Sequence, residues 1–545
     1  MRKRGVKLTT LVLALVFALG LLAGCAKGGG GAAQVIRYNL GAEPKTLDPA
    51  LNAAVEAGTI IENVFEGLMR LDEKDRPIPG VAERYEKSAD GLKYTFYLRK
   101  NAKWSDGKPV TAKDFEYAWK RALDPNTAAE YAYQLYYLKN GEAYNTNKAT
   151  ADQVGVKALD DYTLEVTLEA PTPYFLSLMA FPTYMPVRKD IVEGNSNWAT
   201  KPETYIGNGP FKMTQWLPKD KIVIEKNENY WDAKRVKLAK VEMRMLEDAT
   251  AALSAFRSGQ LDYIESPPSQ EVPNMLKSGE AQALPYLGTY FYEINVSDKA
   301  ASVNPAAAKV LKDARVRKAL SLAIDRKALV DNVLKGGQTP ATTFVADSVV
   351  VDEKGNRFKT KDYYKPEGDV AEAKRLLAEA GYPDGSGFPE ITITYNTGTG
   401  HQNIAQAIQE MWRKNLNINV KLENQEWKVF QVTRTQKQYL IARGGWIADY
   451  NDPMTFLDMW MSNSGNNDVG YNNPEYDRLI AAAKKEADPA KRVSLLHQAE
   501  DLLMKDMPLI PLYYYNNIVA IKPYVKGVTK SQLGFVFFDT GYVQK

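Results

Sequence analysis

The chain has 545 residues, which is enough for several domains or for one large fold with several lobes. It carries 70 Lys and Arg against 66 Asp and Glu, and such a balance gives no uniform positive field for nucleic acid. A single cysteine, Cys25, and two histidines, His401 and His497, exclude disulfide frameworks, cysteine zinc sites and multi-histidine metal clusters. We therefore expect no cofactor and no nucleic-acid partner, while calcium sites made only of carboxylates stay open.

The N-terminus is typical of a secreted protein. Four basic residues precede an uncharged stretch, residues 8–24, which ends at Leu22-Ala23-Gly24-Cys25. The stretch contains Thr and Gly and is short for a membrane-spanning helix. It resembles a bacterial lipoprotein signal, which implies removal of residues 1–24 and lipidation of Cys25; an ordinary secretory peptide is the alternative. The Gly-rich residues 25–33 would then form a flexible tether.

The first half of the folded chain combines strands with a helix. Alternating apolar residues predict strands over 92–98 and 162–168, each burying one face. Between them, Thr111 and Asp114 form a capping box that opens a helix. The most apolar later segment, residues 174–187, is short and interrupted by prolines, so we assign it to the core.

The C-terminal half begins with alternating helices and strands. Asp369 and Glu372 form a second capping box, ahead of a helix that Gly381 ends. A strand at 391–394, an amphipathic helix and a strand of alternating apolar residues at 416–422 form a βαβ unit. This order predicts parallel pairing of the two strands.

Four further elements follow along the chain. We expect a helix near Phe430, a strand near Leu440 and a loop that begins at Gly444. A last helix is expected from about Pro489 to Lys505, with Asp488 as its N-cap. Because no Gly/Ser linker divides the chain after the tether, we expect lobes that share chain crossings and enclose a cleft.

Catalytic signatures are sparse. The sequence contains no G-x-S-x-G nucleophile elbow and no G-x-x-x-x-G-K-[ST] phosphate loop, so any ATPase that the protein depends on is a separate chain. Gly398-Thr399-Gly400 resembles a dinucleotide turn, but Asn403 stands where that fingerprint needs a third glycine. We expect the protein not to be an enzyme. Carboxylate pairs suited to glycosidase chemistry keep a secreted hydrolase as an alternative.

One run combines two glycines, an indole and a carboxylate, which suits a binding loop: Arg443-Gly444-Gly445-Trp446-Ile447-Ala448-Asp449-Tyr450-Asn451-Asp452-Pro453. It resembles the matching loop of the oligopeptide-binding proteins of ABC importers, in the peptide and nickel class of extracytoplasmic receptors. Further motifs fall in that family's order over essentially the whole mature chain. They are Trp104-Ser105-Asp106-Gly107, Gly207-Asn208-Gly209-Pro210-Phe211, Tyr230-Trp231, Ala314-Arg315-Val316-Arg317-Lys318-Ala319-Leu320, Asp325-Arg326 and Ile510-Pro511-Leu512-Tyr513-Tyr514-Tyr515.

The resemblance implies an α/β fold like that of periplasmic binding proteins. Two lobes, one of them with an extra subdomain, close about a hinge over the ligand. The implied parts are lobe I (residues 34–66, 191–289 and 516–545), subdomain II (residues 67–190) and lobe III (residues 290–515).

The resemblance also implies how the ligand is held. The ligand is a short extended peptide whose backbone pairs with protein strands. Asp449 matches the residue that binds the peptide's α-ammonium, and Tyr131 matches one that helps to hold the amino end. Arg434 and His401 match positive positions that meet ligand carboxylates. The remaining matched residues of the binding site are Trp446, Gly445, Arg443 and Tyr515.

Structural roles are the alternatives for several of these residues. Asp449 would cap the turn toward Pro453, and Trp446 would pack within its lobe. Arg443 would anchor the loop, and Tyr515 would support the cavity wall.

Two positions depart from the family. Ala53 stands where some relatives have a glutamate, and Glu56 cannot be assumed to substitute for it. A family lysine that meets the carboxylates of short peptides falls on Leu334, with Lys335 one residue later. The preferred peptide length is therefore left open.

Together these features predict a lipid-anchored receptor that captures oligopeptides and delivers them to the permease of an ABC importer, without chemistry on the ligand. We expect a monomer at the outer face of the cytoplasmic membrane or in the periplasm, with the ATPase on separate subunits. The alternatives are the same fold with a dipeptide, an oligosaccharide or a metal chelate, and the secreted hydrolase.

Overall fold

The computed structural model describes residues 33–352 and 354–545. The predicted signal peptide and the lipidation site Cys25 lie outside these residues, as does the tether apart from Ala33. Among the helices of the described chain, none combines the length and the apolar character that crossing a bilayer requires.

Helices are distributed along the whole described chain. The α-helices are α1 (Val55–Val64), α2 (Ala112–Leu123), α3 (Gly141–Asn145), α4 (Phe175–Leu178), α5 (Lys189–Val192), α6 (Ala249–Arg257), α7 (Val272–Ser278), α8 (Pro305–Leu311), α9 (Ala314–Leu322), α10 (Arg326–Ala328), α11 (Val370–Glu379), α12 (Thr399–Leu416), α13 (Trp427–Thr435), α14 (Met454–Leu457), α15 (Pro474–Lys485) and α16 (Pro489–Asp506). A π-helical turn, Leu329–Leu334, continues α10. The last helix has the predicted extent, and the carboxylate of Asp488 accepts a hydrogen bond from the backbone N–H of Lys491.

Strands alternate with these helices. They are β1 (Val35–Asn39), β2 (Met69–Leu71), β3 (Pro77–Pro79), β4 (Ala82–Lys87), β5 (Lys93–Leu98), β6 (Val156–Asp160), β7 (Thr163–Thr167), β8 (Phe211–Leu217), β9 (Lys221–Lys226), β10 (Lys240–Arg244), β11 (Tyr263–Glu265), β12 (Gln282–Ile294), β13 (Thr339–Pro340), β14 (Ile391–Asn396), β15 (Val420–Gln425), β16 (Ile441–Ile447), β17 (Leu509–Ile521), β18 (Val525–Lys526), β19 (Thr529–Lys530), β20 (Val536–Phe537) and β21 (Tyr542–Val543).

The largest sheet contains 11 strands in the order β15-β14-β16-β12-β17-β11-β1-β10-β9-β8, with β13 paired to β17. Its central strands, β12 and β17, have 13 residues each and pair antiparallel, with a register shift between Pro285 and Thr289. From Gly288 onward, β12 also pairs with β16. At the other end of the β12–β17 pair, residues 519–521 of β17 also pair with β11. Two long strands thus run through the middle of the sheet, and the register shift interrupts their pairing between its β16 side and its β11 side.

The βαβ unit predicted near residue 391 is present in lobe III. Strands β14 and β15 pair in parallel, and α12 connects them. The helix buries Ile404, Ile408 and Trp412, and the Trp412 indole N–H donates a hydrogen bond to the Leu320 carbonyl at 2.8 Å. This packing fixes the helix, whose N-terminal end borders the cavity described below.

A smaller antiparallel sheet, in the order β4-β5-β7-β6, lies within the residues of subdomain II. The alternation seen in the sequence is correct, because β5 buries Tyr94 and Phe96 and β7 buries Leu164 and Val166. Helix α2 packs against this sheet and begins at the predicted capping box, in which both reciprocal hydrogen bonds form. Residues 174–187 are largely buried, as predicted for core.

Three local predictions are wrong in detail. Leu416 ends α12 instead of opening a strand, because Asn417 adopts a left-handed conformation, with φ of 53°, that ends the helix. The capping box at Asp369 is only half formed, since the Asp369 N–H donates to the Leu322 carbonyl. The expected loop at Gly444 begins later, because β16 continues to Ile447 through its pairing with β12.

Candidate functional site

A cavity of ≈ 540 Å³ lies between the lobes. The wall is formed by α1 and the segment 266–270, by Tyr131 and Phe181, and by the start of α12 together with β16. All the residues expected to contact ligand line this one cavity. They are Asp449, Trp446, Gly445, Tyr131, Arg434, His401, Tyr515 and Arg443.

Strand β16 presents an unpaired edge to this cavity. One edge of the strand pairs with β12 over its whole length, whereas β14 on the other edge pairs only with Ile441 and Ala442. Residues 443–447 therefore keep main-chain groups that no other described strand takes up. A side chain at Gly445 would place its Cβ 2.4 Å from the Tyr515 hydroxyl, so glycine at this position lets the Tyr515 side chain lie against the strand.

Asp449 follows β16 and is 8% exposed. Its carboxylate accepts hydrogen bonds from the Tyr131 hydroxyl (3.1 Å), the Gln134 amide (2.8 Å) and the Thr455 hydroxyl (3.3 Å). No Lys, Arg or His of the described chain forms an ion pair with it. Burial, and then the negative charge of Asp458, raise the pKa of Asp449 well above its usual value.

The helix-capping role considered as an alternative for Asp449 is filled by a different residue, Asp452. The carboxylate of Asp452 accepts a hydrogen bond from the Met454 backbone N–H (2.8 Å) at the start of α14. Asp452 is also paired with Arg492 at 2.7 Å. Capping and charge compensation therefore fall on Asp452. The Asp449 carboxylate is directed to Gln134, to Thr455 and to Tyr131, of which Tyr131 lines the cavity.

Aromatic rings surround the Asp449 end of the cavity. Tyr131 stacks on Trp446 with ring centroids 6.1 Å apart and packs against Phe181 at 5.1 Å. Trp446 is mostly buried, and its indole N–H has no hydrogen-bond partner in the described chain. Trp446 thus lines the cavity with its ring, while its N–H is buried.

Arg434 lies on the wall with its charge compensated by the protein. Its guanidinium pairs with Glu293 at 2.7 Å and with Asp468 at 2.9 Å, and both acids are buried. Burial raises the pKa of Asp468, while Arg434 opposes that rise. The predicted contact of Arg434 with a ligand carboxylate would have to compete with these two partners.

Arg443 has no such carboxylate. Its Nη2 donates a hydrogen bond to the Tyr515 hydroxyl (3.0 Å), and its guanidinium lies 5.0 Å from the centroid of the Tyr290 ring. Its buried Nε has no hydrogen-bond partner in the described residues. Arg443 is therefore held by tyrosines and keeps an uncompensated positive charge beside the cavity.

His401 is half-buried and packs against the same tyrosine cluster. Its Nδ1 lies 3.1 Å from the Tyr290 hydroxyl, and burial together with the nearby Arg443 charge lowers its pKa well below the usual range. The imidazole is therefore neutral near pH 7. The family resemblance implies a positive charge at this position. Desolvation and the neighbouring Arg443 guanidinium both oppose protonation of His401.

Several residues of this site were not expected from the sequence. Gln134 and Thr455 hold Asp449, and no local signal marks either of them. Glu56 lines the cavity and accepts a 2.6 Å hydrogen bond from the indole of Trp427. Leu334 also lines the wall, while the Lys335 ammonium donates to Gln270. Within the described ranges, no three His, Cys, Asp or Glu side chains are grouped to hold a metal ion.

Comparison with known proteins establishes the class. Residues 76–468 match the bacterial extracellular solute-binding proteins, family 5, and the chain belongs to that family. It is 40% identical to the oligopeptide-binding protein OppA of Bacillus subtilis, over 98% of both chains. It is 35% identical to OppA of Haemophilus influenzae in a complex with the peptide RPPGFSPFR, with a TM-score of 0.87 over 94% of this chain and 100% of the other.

A third relative reports on the arrangement of the lobes. The murein tripeptide binding protein MppA of Escherichia coli is 36% identical and covers 94% of this chain. One structure of MppA, of which 99% is covered, gives a TM-score of 0.86, while its unliganded open form, covered to 98%, gives 0.61. The two-lobed α/β fold with an extra subdomain is thereby shown, and the lobes here are arranged as in the peptide complex.

Proposed function

We propose that this protein captures short peptides with a free amino terminus and delivers them to the permease of an ABC importer. The relatives named for oligopeptide and murein-peptide binding support this function over nearly the whole chain. One observation of this structure carries it: a buried carboxylate, Asp449, lies at the end of an unpaired strand edge, and no cation among residues 33–352 and 354–545 pairs with it. A peptide supplies both missing partners, an α-ammonium and a strand of backbone groups.

Backbone pairing with residues 443–447 accounts for recognition without strong sequence preference. Main-chain hydrogen bonds do not depend on the side chains of the ligand, and a cavity of ≈ 540 Å³ leaves room for different side chains and for water. Four residues of the wall also carry buried polar atoms without a hydrogen-bond partner in the described chain, and each such atom costs free energy until it is paired. They are Trp446 Nε1, Arg443 Nε, Gln431 Oε1 and Asn516 Oδ1.

Arg443 is the proposed partner for the carboxyl end of the peptide. It lies near the start of β16, whereas Asp449 lies two residues beyond the end of that strand. The two uncompensated charges thus have opposite sign and flank the unpaired edge, which suits a zwitterion in an extended conformation. Arg434 and His401 would shape this end of the cavity, the first with its charge compensated and the second neutral.

Affinity then depends on closure of the lobes about the β12–β17 hinge. Closure brings Tyr131 of subdomain II onto Asp449 and excludes water from the ammonium site, which strengthens the charge pair. The protein performs no chemistry on its ligand in this proposal, and ATP is hydrolysed by separate subunits of the importer.

Attachment and domain limits are part of the same proposal. Lipidation of Cys25 after removal of residues 1–24 would hold a monomeric receptor at the outer face of the membrane through the tether 25–33. The limits proposed for lobe I, subdomain II and lobe III are those given above.

Calorimetry of the mature protein tests the proposal. Tri- and tetra-alanine should bind, and the same peptides with an acetylated amino terminus should bind at least about 100-fold more weakly, since acetylation removes the charge that Asp449 meets. Mass spectrometry of ligand released from freshly purified protein should find intact peptides. Equal affinity for free and acetylated peptides, or the release of cleavage products, would contradict it.

A further inference from the structure

A second cavity, of ≈ 250 Å³, lies apart from the cavity that contains Asp449, and no described residue lines both. Its wall is formed by the end of α1, by the hairpin of β2 and β3, and by residues of the segment 537–540. Sites for drug-sized ligands typically have volumes of about 300–1,000 Å³, so this smaller cavity suits a ligand of few heavy atoms. The proposed capture of peptides makes no use of it.

The charged side chains of this second cavity are not balanced. Three carboxylates that are buried or half-buried line it together with two guanidinium groups: Glu62, Glu66 and Asp539, with Arg70 and Arg235. Both arginines pair with Asp539, at 3.4 Å and 3.1 Å. The two glutamates therefore have no ion-pair partner among the described residues. Asp72 on the same wall is paired with Arg76, and Glu73 is exposed, so neither leaves a buried charge unpaired.

Glu62 is the carboxylate of this wall that no other group compensates. It is 8% exposed, its Oε1 is buried, and neither of its oxygens accepts a hydrogen bond within the described chain. Glu66, in contrast, accepts hydrogen bonds from the Tyr230 hydroxyl and from the Trp231 indole, the latter at 2.7 Å. Burial, and then the negative charge of Glu66, raise the pKa of Glu62 well above its usual value. The ionised form of Glu62 thus lacks an opposite charge.

The position of Glu62 in α1 adds to this imbalance. Glu62 lies in the last turn of the helix, where no basic residue is present, and residues 57–64 are all buried. The partial negative charge of a helix C-terminus favours a cation and disfavours an acid at this position. Asn63 fixes this helix end, because its amide donates hydrogen bonds to the carbonyls of Thr59 and Val536, both at 2.7 Å. The helix end and the carboxylate therefore both favour a positive charge in the cavity.

The rest of the wall suits an organic cation. The aromatic rings of Phe65, Tyr230 and Phe537 line it, together with the side chains of Met69 and Met185. Aromatic faces beside a carboxylate are a favourable environment for a guanidinium or an alkylammonium group. A divalent metal ion, in contrast, prefers more oxygen ligands than the two unpaired carboxylates supply.

We propose that this second cavity binds a small organic monocation, a guanidinium or ammonium group with a short alkyl chain, and that Glu62 is the carboxylate that meets its charge. One positive charge restores neutrality, because three carboxylates of the wall are matched by only two arginines. The neighbouring Glu66, held by neutral donors, adds to the attraction. The inference does not depend on the proposed function, since the two cavities share no described residue.

Calorimetry of the mature protein at pH 8 and low salt tests the site, with methylguanidinium chloride as the probe. N-methylurea is the neutral control of nearly the same shape, and sodium chloride at the same concentration is the control for an inorganic cation. Methylguanidinium should bind at least about tenfold more tightly than N-methylurea, and sodium should not compete with it at equal concentration. Equal binding of methylguanidinium and N-methylurea, no binding of either, or equal competition by sodium would overturn the proposal.

A pair of variants on one helix assigns the binding to Glu62. Glu62→Gln should weaken the binding of methylguanidinium at least about tenfold. Glu56→Gln is the matched control, because Glu56 is an acid at the other end of α1 and lines the other cavity. This control should bind the probe as the unmodified protein does. Binding that survives in Glu62→Gln, or that is lost in Glu56→Gln, would place the cation elsewhere and overturn the site.

A crystallographic measurement keeps the test independent of how the variants fold. Crystals of the unmodified protein soaked in methylguanidinium chloride should show the planar probe beside the Glu62 carboxylate. Crystals soaked in N-methylurea should not show it there. A soaked crystal in which the probe is absent from this cavity, or in which N-methylurea occupies it equally well, would contradict the charge-based site.

Discussion

The two charged regions of the cavity wall differ in how their charges are compensated. Around Arg434, one guanidinium lies between the carboxylates of Glu293 and Asp468, which are 1% and 9% exposed at the side chain. Around Asp449, the carboxylate has three hydrogen-bond donors that carry no charge. Both regions are buried and both line the same cavity.

This difference separates scaffold from binding site. A buried charge that is paired within the protein already has its desolvation offset, so a ligand gains little by meeting it. A buried charge held only by neutral dipoles remains unfavourable until an opposite charge arrives. The Arg434 cluster is therefore expected to stabilise lobe III, and the Asp449 region is expected to bind ligand.

The largest effect should come from breaking the compensated cluster. Arg434→Met would leave Glu293 and Asp468 buried without a cation, which should lower the free energy of unfolding by about 3–5 kcal/mol. Urea denaturation followed by circular dichroism measures this. Arg443→Met is the matched control, because Arg443 is, like Arg434, a half-buried arginine of the same wall, and no carboxylate of the described chain forms an ion pair with it. A loss of stability in the control as large as in Arg434→Met would remove the distinction between the two regions.

The next largest effect should appear in binding at the uncompensated carboxylate. Asp449→Asn should weaken peptides with a free amino terminus by about 2–4 kcal/mol, because a charge-assisted pair inside a closed cavity is lost. Its free energy of unfolding should stay the same or rise, since the raised pKa shows that the charge is unfavourable in the empty protein.

Asp452→Asn gives the opposite pattern and serves as the control for Asp449→Asn. Asp452 is as buried as Asp449, but it is paired with Arg492 at 2.7 Å. The change at Asp452 should therefore lower stability more than peptide affinity. If both variants lost mainly stability, Asp449 would be structural and the proposed ammonium site would be wrong.

The sequence predicted local features because their causes are local. The capping box at Thr111, the alternation in β5 and the βαβ unit each depend on residues within a few positions or on one connection. The loop around Asp449 is recognised by its resemblance to a family, and the eight residues expected to contact ligand, four of them in this loop, line one cavity. The limits of β16 were misjudged, because its pairing with β12 overrides the preference of two glycines for a turn.

Charge compensation could not be predicted, because its partners are distant in sequence. Arg434 meets Glu293 across 141 positions, and Glu56 meets Trp427 across 371. No pattern in either segment marks these pairs. Whether Arg434 binds a ligand or the protein itself depends on such contacts. The family motif therefore indicates the position of a charge, but not whether that charge is already paired within the protein.

A smaller effect is expected at the carboxyl end of the peptide. Arg443→Gln should weaken tripeptides by about 1–2 kcal/mol, since the Arg443 charge is partly exposed to water and is shared with tyrosine hydroxyls. C-terminal amidation of the peptide should weaken binding to the unmodified protein and should have little further effect in the variant. Independent and additive losses would mean that the peptide carboxylate is held elsewhere.

The smallest effect is a change of affinity with pH, and its sign follows from Asp449. Because the pKa of Asp449 is raised in the empty protein, part of the population carries a proton there below that pKa, and binding of an ammonium group must release it. Peptide affinity should therefore rise by a few-fold per pH unit, which is less than the limiting tenfold, as the pH increases from 5 toward the raised pKa. It should fall again above about pH 8, because the peptide amine loses its charge.

Titration calorimetry at pH 6 in buffers of different ionisation enthalpy counts the protons that binding releases. A net release is expected in the unmodified protein, and it should be smaller or absent in Asp449→Asn. His401→Gln should keep the release, because the lowered pKa of His401 leaves that ring neutral before and after binding. Net proton uptake on binding, or a release that persists in Asp449→Asn and disappears in His401→Gln, would assign the titration to the imidazole and leave the carboxylate without its proposed role.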